Sequence, residues 1–555
     1  MFNELKEQLI STIENSLKEL YPDAPAIAVT LEIPQDKQFG ELASTAPLRL
    51  AGPLKKNPLQ IGASLQAVLE RRVRQELKGK IEKIEVRKPG FVNFYLTKEA
   101  FQDCVAHILK EGDSFGRSKQ GAGRKVQIEF VSANPTGPLS VAHARQAAVG
   151  DALGNILTAV GFDVTKEFYV NDEGNQINIL GRSICDRARE ILGETFPFPE
   201  DNYQGEYIKD MAKEFMSQHH VKTFADLTKI EAAVFSQYGV EVLMDVIKKE
   251  LSDFGVHFDV WSYQSKMATV QNIEKVLQEM RKRGYIYDHE GAVWFKSTEL
   301  GDDKDRVVKK TDGSFTYLAP DIVYHKNKFE RGFSQVVNLW GPDHHGYIPR
   351  LKAAVAALGY DPKSLVVLIV QLATIFRDGK PLSMSTRRGQ YISLREVMDE
   401  VGVDAARFFF LMRHIKAHLE FDLELAKKET PENPVYYVQY AHARIHSVLD
   451  VAKEKGVSAA RERFSLLTQP EELDLIKELN QFPEILSTCA QQLEPYPLLE
   501  YLPRLATGFH RFYDKHRIVG EEARLSEERL GLLLAARIVL ANGLKVLGVK
   551  APVKM

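Results

Sequence analysis

The chain has 555 residues, enough for about three to four domains of ordinary size, each able to bury its own core. Apolar residues make up 44% and charged residues 27% of the sequence, which is typical of a folded globular protein and excludes a disordered chain. The net charge of −2 excludes a general attraction to nucleic acid, so any RNA contact must come from local patches.

Cysteine usage and the N-terminal residues indicate the compartment. Cys104, Cys185 and Cys489 are widely separated and form no C-x-x-C motif, so we expect neither a disulfide framework nor a metal site, as in a reducing cytosol. The first residues are acidic where a signal peptide would be basic, and no apolar run reaches the roughly 20 residues that span a bilayer. The sequence therefore predicts a cytoplasmic protein with no membrane partner.

Residues 1–115 mix helix and strand patterns. Residues 2–20 have helical periodicity, whereas residues 84–96 read as two strands around the turn Pro89-Gly90. The basic stretch 71–88 holds eight cations and three glutamates, which fits either a solvated helix face or a contact with phosphates. The Gly- and Lys/Arg-rich stretch 116–125 follows as a boundary. This pattern predicts a small α+β domain.

Strand-like apolar runs alternate with helical segments between residues 126 and 394. The runs cover residues 126–131, 168–170, 336–340 and 365–372. This alternation favours a doubly wound parallel sheet. Residues 185–303 are mostly helical in pattern and acidic, and from residue 397 onward apolar residues at helical spacing predict an α-helical bundle.

Two segments have the composition of phosphate-binding turns. Residues 132–145, SANPTGPLSVAHAR, join the predicted strand 126–131 to a predicted helix at 144–157. Free N–H groups and the positive dipole end of such a helix attract phosphate, although many α/β proteins have turns of this kind. Residues 380–389, KPLSMSTRRG, follow the predicted strand 365–372, and their two arginines beside two serines could clamp a polyphosphate.

Together these segments resemble the paired motifs of class I aminoacyl-tRNA synthetases, the His-x-Gly-His turn and the Lys-Met-Ser-Lys-Ser loop. Their surroundings resemble the arginyl-tRNA synthetase family, from GFVNF at residues 90–94 to APVKM at residues 551–555. The turn departs from the family pattern, because Ser140 and Ala142 replace its first His and its Gly while His143 remains. In the loop, Ser383 and Thr386 replace the two lysines.

The resemblance implies an α/β fold with a Rossmann-like doubly wound catalytic domain at residues 116–395. The mostly helical stretch at about 185–303 would be an insertion between the two halves of its sheet. Residues 1–115 would form an N-terminal α+β domain that binds the tRNA elbow. Residues 396–555 would form a C-terminal all-α bundle that binds the anticodon, a resemblance carried by NPVYYVQYAHAR at residues 433–444.

The resemblance also implies functional residues. Those expected to act in catalysis are His143, Ser140 and Arg387. Those expected to contact ATP are Pro138, Ala142, Gly341, Asp343, His344, Met384 and Ser385. Those expected to bind arginine are Glu129, Asn134, Tyr317 and Asp321. Those expected to contact tRNA are Asn93 and Tyr95 at the elbow, and Tyr437, Tyr440, Arg444, Tyr513 and Met555 at the anticodon.

Several of these residues have a second, purely structural interpretation. Glu129 lies in a presumed buried strand and needs a cationic partner, which either a substrate ammonium or an internal Lys or Arg could supply. Asp321 follows Pro320 in the first turn of a predicted helix with Tyr317 just outside it, so it could bind a guanidinium or complement the helix dipole. The aromatic residues at the start of the bundle could stack on RNA bases or pack within the bundle.

The resemblance implies an arginine–tRNA ligase that uses arginine, tRNA(Arg) and ATP with Mg²⁺ as a substrate complex. We expect a monomer. We also expect no permanently bound metal, since His344 and His345 are adjacent and lack the spacing of two ligands on one helix face. The alternative is a non-catalytic tRNA-binding relative whose ATP turn has lost its motif.

Overall fold

A computed structural model describes residues 2–34, 36–382, 392–520 and 522–555 of the chain. Helices and strands alternate over its first three-quarters, and the remainder is helical. Among the described residues, no helix combines the length and apolar character needed to cross a bilayer.

The N-terminal unit is a four-stranded antiparallel sheet with helices packed on it. Its strands follow the order β1-β2-β4-β3, and β3 and β4 pair around the predicted Pro89-Gly90 turn. Asn57 caps α3 by accepting a hydrogen bond from the N–H of Leu59 at 2.9 Å. Its elements are α1 (Phe2–Leu20), β1 (Leu31–Glu32), β2 (Leu42–Ser44), α2 (Ala46–Leu54), α3 (Pro58–Glu76), β3 (Ile81–Arg87), β4 (Phe91–Leu96) and α4 (Lys98–Glu111).

The central unit is built on a five-stranded parallel sheet in the order β12-β11-β5-β6-β7, as the alternating pattern predicted. The chain runs outward from β5 to β7 and then returns to β11 on the other side of β5, so the topological switch point lies between β5 and β11. Its elements up to the return are β5 (Lys125–Glu129), α5 (Val141–Ala159), β6 (Asp163–Val170), α6 (Asn175–Ile191), α7 (Glu206–Gln218), α8 (Phe224–Leu227), α9 (Ala232–Asp253), β7 (Val260–Tyr263), α10 (Gln264–Met267) and α11 (Val270–Lys282).

The predicted helical stretch 185–303 proves to be interrupted by strands. β7 lies inside it and pairs in parallel with β6 in the central sheet, and a separate antiparallel sheet in the order β10-β9-β8 follows α11. These strands are four residues long, too short for the alternation of side chains to stand out. The elements that follow α11 are β8 (Ile286–His289), β9 (Ala292–Phe295), β10 (Arg306–Lys309), α12 (Leu318–Glu330), β11 (Gln335–Trp340), α13 (Ile348–Ala357) and β12 (Leu365–Ile369).

The chain does not become purely helical at residue 396, where the sequence predicted the start of the bundle. A small sheet has the order β14-β13-β15, and its β15 pairs in parallel with β13. Both α14 and α15 pack on α5, so this segment is attached to the central unit. The elements concerned are β13 (Ala373–Arg377), β14 (Lys380–Pro381), α14 (Leu394–Val401), α15 (Val403–Leu411), β15 (Leu419–Asp422) and α16 (Leu423–Lys427).

The C-terminal helices form a bundle that contacts both other units. Its α18 and α20 pack against α4 of the N-terminal unit and against α5 of the central unit. The bundle consists of α17 (Pro434–Glu454), α18 (Pro470–Gln492), α19 (Tyr496–Lys515) and α20 (Ala523–Val546).

A buried ionic cluster joins the central unit to the end of the bundle. The Asp151 carboxylate of α5 accepts hydrogen bonds from Arg407 of α15 and, at 2.6 Å, from Lys166 of β6. Burial alone would raise the pKa of Asp151, but the two cations hold it below its usual value. Arg407 also donates to the carbonyls of Phe254 at 3.0 Å and Leu547 at 3.1 Å. The guanidinium therefore links three segments distant in sequence.

Arg407→Ala should destabilise the protein by about 3–5 kcal/mol, because it leaves the Asp151 carboxylate buried without its main partner. The fall in the thermal unfolding midpoint, followed by circular dichroism, measures the loss. Arg71→Ala is the matched control, since Arg71 pairs with Glu19 on an exposed surface and such pairs contribute little. Equal midpoints for the two variants would contradict the role of the cluster.

Candidate active site

The predicted ATP turn ends at the first residue of α5. Ser140 occupies the N-cap position, and its backbone N–H donates to Nδ1 of His143 at 3.2 Å. Burial lowers the pKa of His143 to about 4, so the ring is neutral near pH 7. Because Nδ1 accepts a hydrogen bond, the ring proton resides on Nε2. Nε2 of His143 is therefore a hydrogen-bond donor, of the kind that a phosphate oxygen accepts from.

The structure pairs this turn with the chain that follows the second predicted nucleotide loop. Ser140 forms an isolated antiparallel bridge with Ser393, and the N–H of Leu394 donates to the carbonyl of Leu139 at 2.7 Å. The loop residues Met384, Ser385 and Arg387 lie outside the described residues.

Arg145 fastens α5 to the segments that flank the small sheet. Its guanidinium is almost fully buried and donates to the carbonyls of Gln371 at 2.7 Å, Ala417 at 2.9 Å and His414 at 3.2 Å. Carbonyl dipoles around a cation replace the water it has lost. Arg145 thus fixes the helix of the ATP turn relative to the strand that leads into residues 383–391.

The switch point between β5 and β11 holds a buried polar network. Glu129 of β5 and Asn338 of β11 are cross-strand partners, and the ammonium of Lys328, which is 0% exposed, contacts both. Its Nζ lies 2.5 Å from Oε2 of Glu129 and 2.9 Å from Oδ1 of Asn338. Of the two partners that the sequence allowed for Glu129, the structure contains the internal lysine.

The backbone just after Glu129 is strained. Val131 and Ser132 have φ angles of 66° and 38°, in the left-handed region that residues with a side chain rarely adopt. The turn brings the Ser132 hydroxyl back to donate to Oε1 of Glu129 at 3.0 Å. Both carboxylate oxygens of Glu129 therefore have partners within the protein.

The network continues through α12 to Asp321. The side-chain amide of Asn338 lies 2.9 Å from Nε2 of His325, whose Nδ1 lies 2.8 Å from the backbone carbonyl of Asp321. Burial lowers the pKa of His325 well below its usual value, so the ring accepts at Nε2 and donates from Nδ1. A chain of hydrogen bonds thus links Glu129 to the helix turn that carries Asp321.

Asp321 lies in the first turn of α12, with Tyr317 at the N-cap, as the sequence predicted. Burial raises the pKa of Asp321 to about 7. A hydrogen bond from Tyr347 acts in the opposite direction and offsets part of this rise. The phenolic oxygen of Tyr347 is 2.5 Å from Oδ2 of Asp321. Tyr317, by contrast, is 67% exposed.

The remaining predicted ATP and arginine residues lie in the turn before α5, in the first turn of α5 and in the turn after β11. Asn134 donates to Oε1 of Gln176 at 2.7 Å. A methyl group added to Gly341 would lie 3.7 Å from Nε2 of Gln146, so the turn after β11 adjoins α5. Pro138 and Ala142 are half-buried, whereas Asp343 and His344 are exposed.

Sequence reasoning missed four site residues: Arg145, Lys328, Asn338 and Tyr347. Lys328 had a detectable signal, because Asp321, His325 and Lys328 are spaced i, i+4, i+7 and must share one helix face. Tyr347 directly follows the predicted nucleotide segment at 341–346. Asn338 had no signal, since only strand pairing brings it beside Glu129.

Four of the five predicted anticodon residues lie on α17 and α19, and Met555 follows α20. The rings of Tyr437 and Tyr440 lie 5.0 and 5.9 Å from that of His510, and Arg444 covers the ring of Tyr513 at 5.2 Å. Tyr440 and Met555 are exposed. Aromatic packing within the bundle therefore coexists here with a partly exposed surface.

The two residues predicted to contact the tRNA elbow differ in exposure. Asn93 is only 2% exposed, because it lies on β4 between β2 and β3, whereas Tyr95 is half-buried. The Tyr95 hydroxyl is 2.8 Å from the carbonyl of Gln38 and 2.9 Å from Oε2 of Glu85.

In the basic stretch 71–88 most cations are paired with carboxylates, which favours a solvated, ion-paired surface. Arg71 and Arg72 contact Glu19, Lys80 contacts Asp103, and Lys83 and Arg87 contact Glu85.

Comparison with known proteins covers the chain almost from end to end. Residues 7–96 match the arginyl tRNA synthetase N terminal domain, residues 104–417 the catalytic domain of class I (R) tRNA synthetases, and residues 438–555 the DALR anticodon binding domain. An arginine–tRNA ligase of Geobacter sp. (strain M21) is 44% identical over 559 residues, 99% of this chain and 100% of its own. Arginine–tRNA ligase 1 of Halalkalibacterium halodurans is 43% identical over 556 residues, 100% and 99% of the two chains.

Among solved structures, the Thermus thermophilus arginyl-tRNA synthetase has the same fold, with a TM-score of 0.76, 21% identity, and 99% of this chain and 100% of that chain covered. The family matches and the full-length relatives agree with one another and do not support a non-catalytic relative. The chain therefore belongs to the arginyl-tRNA synthetase family, the arginine–tRNA ligases of class I.

Proposed function

We propose that this enzyme uses ATP to convert arginine to arginyl-adenylate and then transfers arginine to the 3′-terminal adenosine of tRNA(Arg). The observation that carries the proposal is the carboxylate of Asp321, which accepts a hydrogen bond from Tyr347 and has a pKa that burial raises to about 7. A chain of hydrogen bonds also runs from the backbone carbonyl of Asp321 to Glu129, at the switch point where α/β sheets bind ligands. Glu129 ends the strand that leads into the ATP turn.

Arginine selection follows from the state of Asp321. A carboxyl group whose pKa burial raises to about 7 is only partly ionised when alone, and a guanidinium, which is always charged, would ionise it fully. Two parallel N–H···O bonds suit the planar guanidinium. A neutral side chain of the same shape would leave the carboxyl group without a counter-charge, which is a strong basis for discrimination.

The amino-acid end of arginine would face the strand end. Glu129 would share its carboxylate between Lys328, Ser132 and the α-ammonium, and Asn134 would contact the α-carboxylate. Tyr317 would close the mouth of the pocket over the aliphatic part of the substrate. These roles put the carboxylate of arginine on the side of the ATP turn.

Adenylate formation then needs no protein nucleophile. A carboxylate oxygen of arginine attacks the α-phosphorus in line, and the bond from that phosphorus to the oxygen bridging to the β-phosphate breaks. Pyrophosphate leaves with the electron pair, and Mg²⁺ accompanies the phosphates as part of the substrate. His143, Ser140, the N-terminus of α5 and Arg387 would stabilise charge on the phosphate oxygens.

The nucleoside part of ATP would lie between α5 and the turn after β11. Asp343 is exposed and would accept a hydrogen bond from a ribose hydroxyl. The other residues proposed to contact ATP are Pro138, Ala142, Gly341, His344, Met384 and Ser385.

In the second step the terminal 2′-hydroxyl of tRNA attacks the carbonyl carbon of the adenylate. The hydroxyl loses its proton, an ester bond forms, and AMP leaves. Tyr437, Tyr440, Arg444, Tyr513 and Met555 would contact the anticodon by stacking and through phosphate, and Tyr95 would contact the elbow.

Arginine-dependent exchange of labelled pyrophosphate into ATP tests the proposal. It should be run with and without tRNA(Arg), because the family generally requires tRNA for activation. We expect exchange with arginine and tRNA together and none with citrulline, the neutral analogue. Absence of exchange in the complete mixture would refute the function.

Asp321→Asn should raise the KM for arginine roughly a hundredfold, since it removes the counter-charge of the guanidinium. The KM for ATP should stay within about twofold, because the role assigned to Asp321 is to bind the guanidinium and not ATP. Steady-state aminoacylation measures both constants. Asp312→Asn, in an exposed turn, is the control, and a similar arginine KM in both variants would exclude the assigned pocket.

His143→Ala should lower adenylate formation at least about tenfold, because the phosphate loses a preorganised neutral donor. Affinity for tRNA, measured by filter binding, should change little. His289→Ala, at an exposed strand end, removes an imidazole outside the site. Equal exchange rates for the wild type and His143→Ala would contradict the role of His143.

A further inference from the structure

We infer that Tyr347 is a positioning residue that determines specificity for arginine by holding the carboxylate of Asp321 in the orientation that the guanidinium requires. The inference rests on the proposed function and deepens it. Tyr347 lies outside the set of arginine-binding residues that the sequence indicated.

The contact between the two side chains is direct. The phenolic oxygen of Tyr347 lies 2.5 Å from Oδ2 of Asp321. Burial, followed by the charge of Asp321, raises the pKa of Tyr347, so it remains a phenol and donates. A carboxylate has about four lone-pair positions on its two oxygens. One position on Oδ2 is used, and Oδ1 with the rest of Oδ2 remains for a guanidinium.

The Tyr347 ring is itself held in place. The ring of Trp340, at the end of β11, lies 6.0 Å away at an interplanar angle of 67°, and the guanidinium of Arg350 in α13 lies 4.8 Å from the ring centroid. A side chain held by two such neighbours transmits its orientation to the group that it contacts. The phenol therefore restricts the rotation of Asp321 about its side-chain bonds.

Tyr317, the tyrosine that the sequence predicted to bind arginine, does not have these properties. It is 67% exposed, and among the described residues no hydrogen bond joins its hydroxyl to Asp321. The residue that orients the carboxylate thus comes from the segment after β11 rather than from the start of α12.

The charges that face Asp321 come from several elements. Glu129 of β5 is an anionic neighbour and Lys328 of α12 a cationic one, and Tyr347 brings Arg350 of α13 close. Tyr169 of β6 is a neutral phenol, because burial and the charge of Asp321 raise its pKa. The Tyr347 hydrogen bond favours the charged carboxylate and lowers the pKa of Asp321, against the upward effect of burial. Removal of the phenol should raise the pKa of Asp321 further, so that more of the group is neutral near pH 7.

Tyr347→Phe tests the inference, with Tyr287→Phe as the matched control. Tyr287 donates to Oδ2 of Asp305 at 3.0 Å in the antiparallel sheet, so this variant deletes the same kind of bond elsewhere. We expect Tyr347→Phe to raise the arginine KM about tenfold with kcat within about twofold. Arginine binds the ionised carboxyl group, so kcat/KM for arginine rises with pH, and its inflection should move to higher pH in Tyr347→Phe only.

Two outcomes overturn the inference. One is an unchanged arginine KM and inflection in Tyr347→Phe. The other comes from combining Tyr347→Phe with Asp321→Asn: if Tyr347 acts through Asp321, the double variant should be no worse than Asp321→Asn alone, and additive losses would indicate a general structural effect. Wild-type exchange with arginine and tRNA is run in parallel, so a failure of the proposed function is seen separately.

Discussion

The buried ammonium of Lys328 fixes α12 against the strands β5 and β11. It is fully buried, contacts Glu129 and Asn338, and lies 4.2 Å from the centroid of the Tyr324 ring. Removing an ammonium from water costs several kcal/mol, so the group is stable there only while all its partners are in place. Because those partners belong to β5, β11 and α12, the lysine fixes the two switch-point strands relative to the helix that carries Asp321.

Helix α5 connects the chemistry to the rest of the molecule. His143 lies in its first turn, Arg145 donates to the carbonyls that flank the small sheet, and Asp151 joins the cluster around Arg407. Near its end, Asn155 donates to the carbonyl of Val546 at the end of α20 at 3.1 Å. One helix thus touches the ATP turn, the strand before residues 383–391 and the C-terminal bundle.

The two carboxyl groups of the site differ in their partners: Glu129 has a cation within the protein, and Asp321 has a phenol. Lys328 already neutralises Glu129. Burial raises the pKa of Asp321 to about 7, and among the described residues its carboxyl group accepts a side-chain hydrogen bond only from the phenol of Tyr347. This contrast follows from position, since Glu129 lies at the buried strand end and Asp321 in a helix turn nearer the surface. A ligand guanidinium would complete the second pair in the way that Lys328 completes the first.

Sequence alone determined the elements whose signals are local: the parallel strands, the ATP turn at the start of α5, Tyr317 and Asp321 on either side of the start of α12, and the helical C-terminal region. It failed for β7 to β10 and β15, each four residues long, because such strands are selected by their neighbours rather than by their own pattern. Only the tertiary structure decided that Lys328 neutralises Glu129, that Tyr347 contacts Asp321 and that Asn93 is buried. Those outcomes depend on which segments are adjacent in space, and strand order and helix packing set that adjacency between residues as far apart in the chain as Glu129 and Lys328.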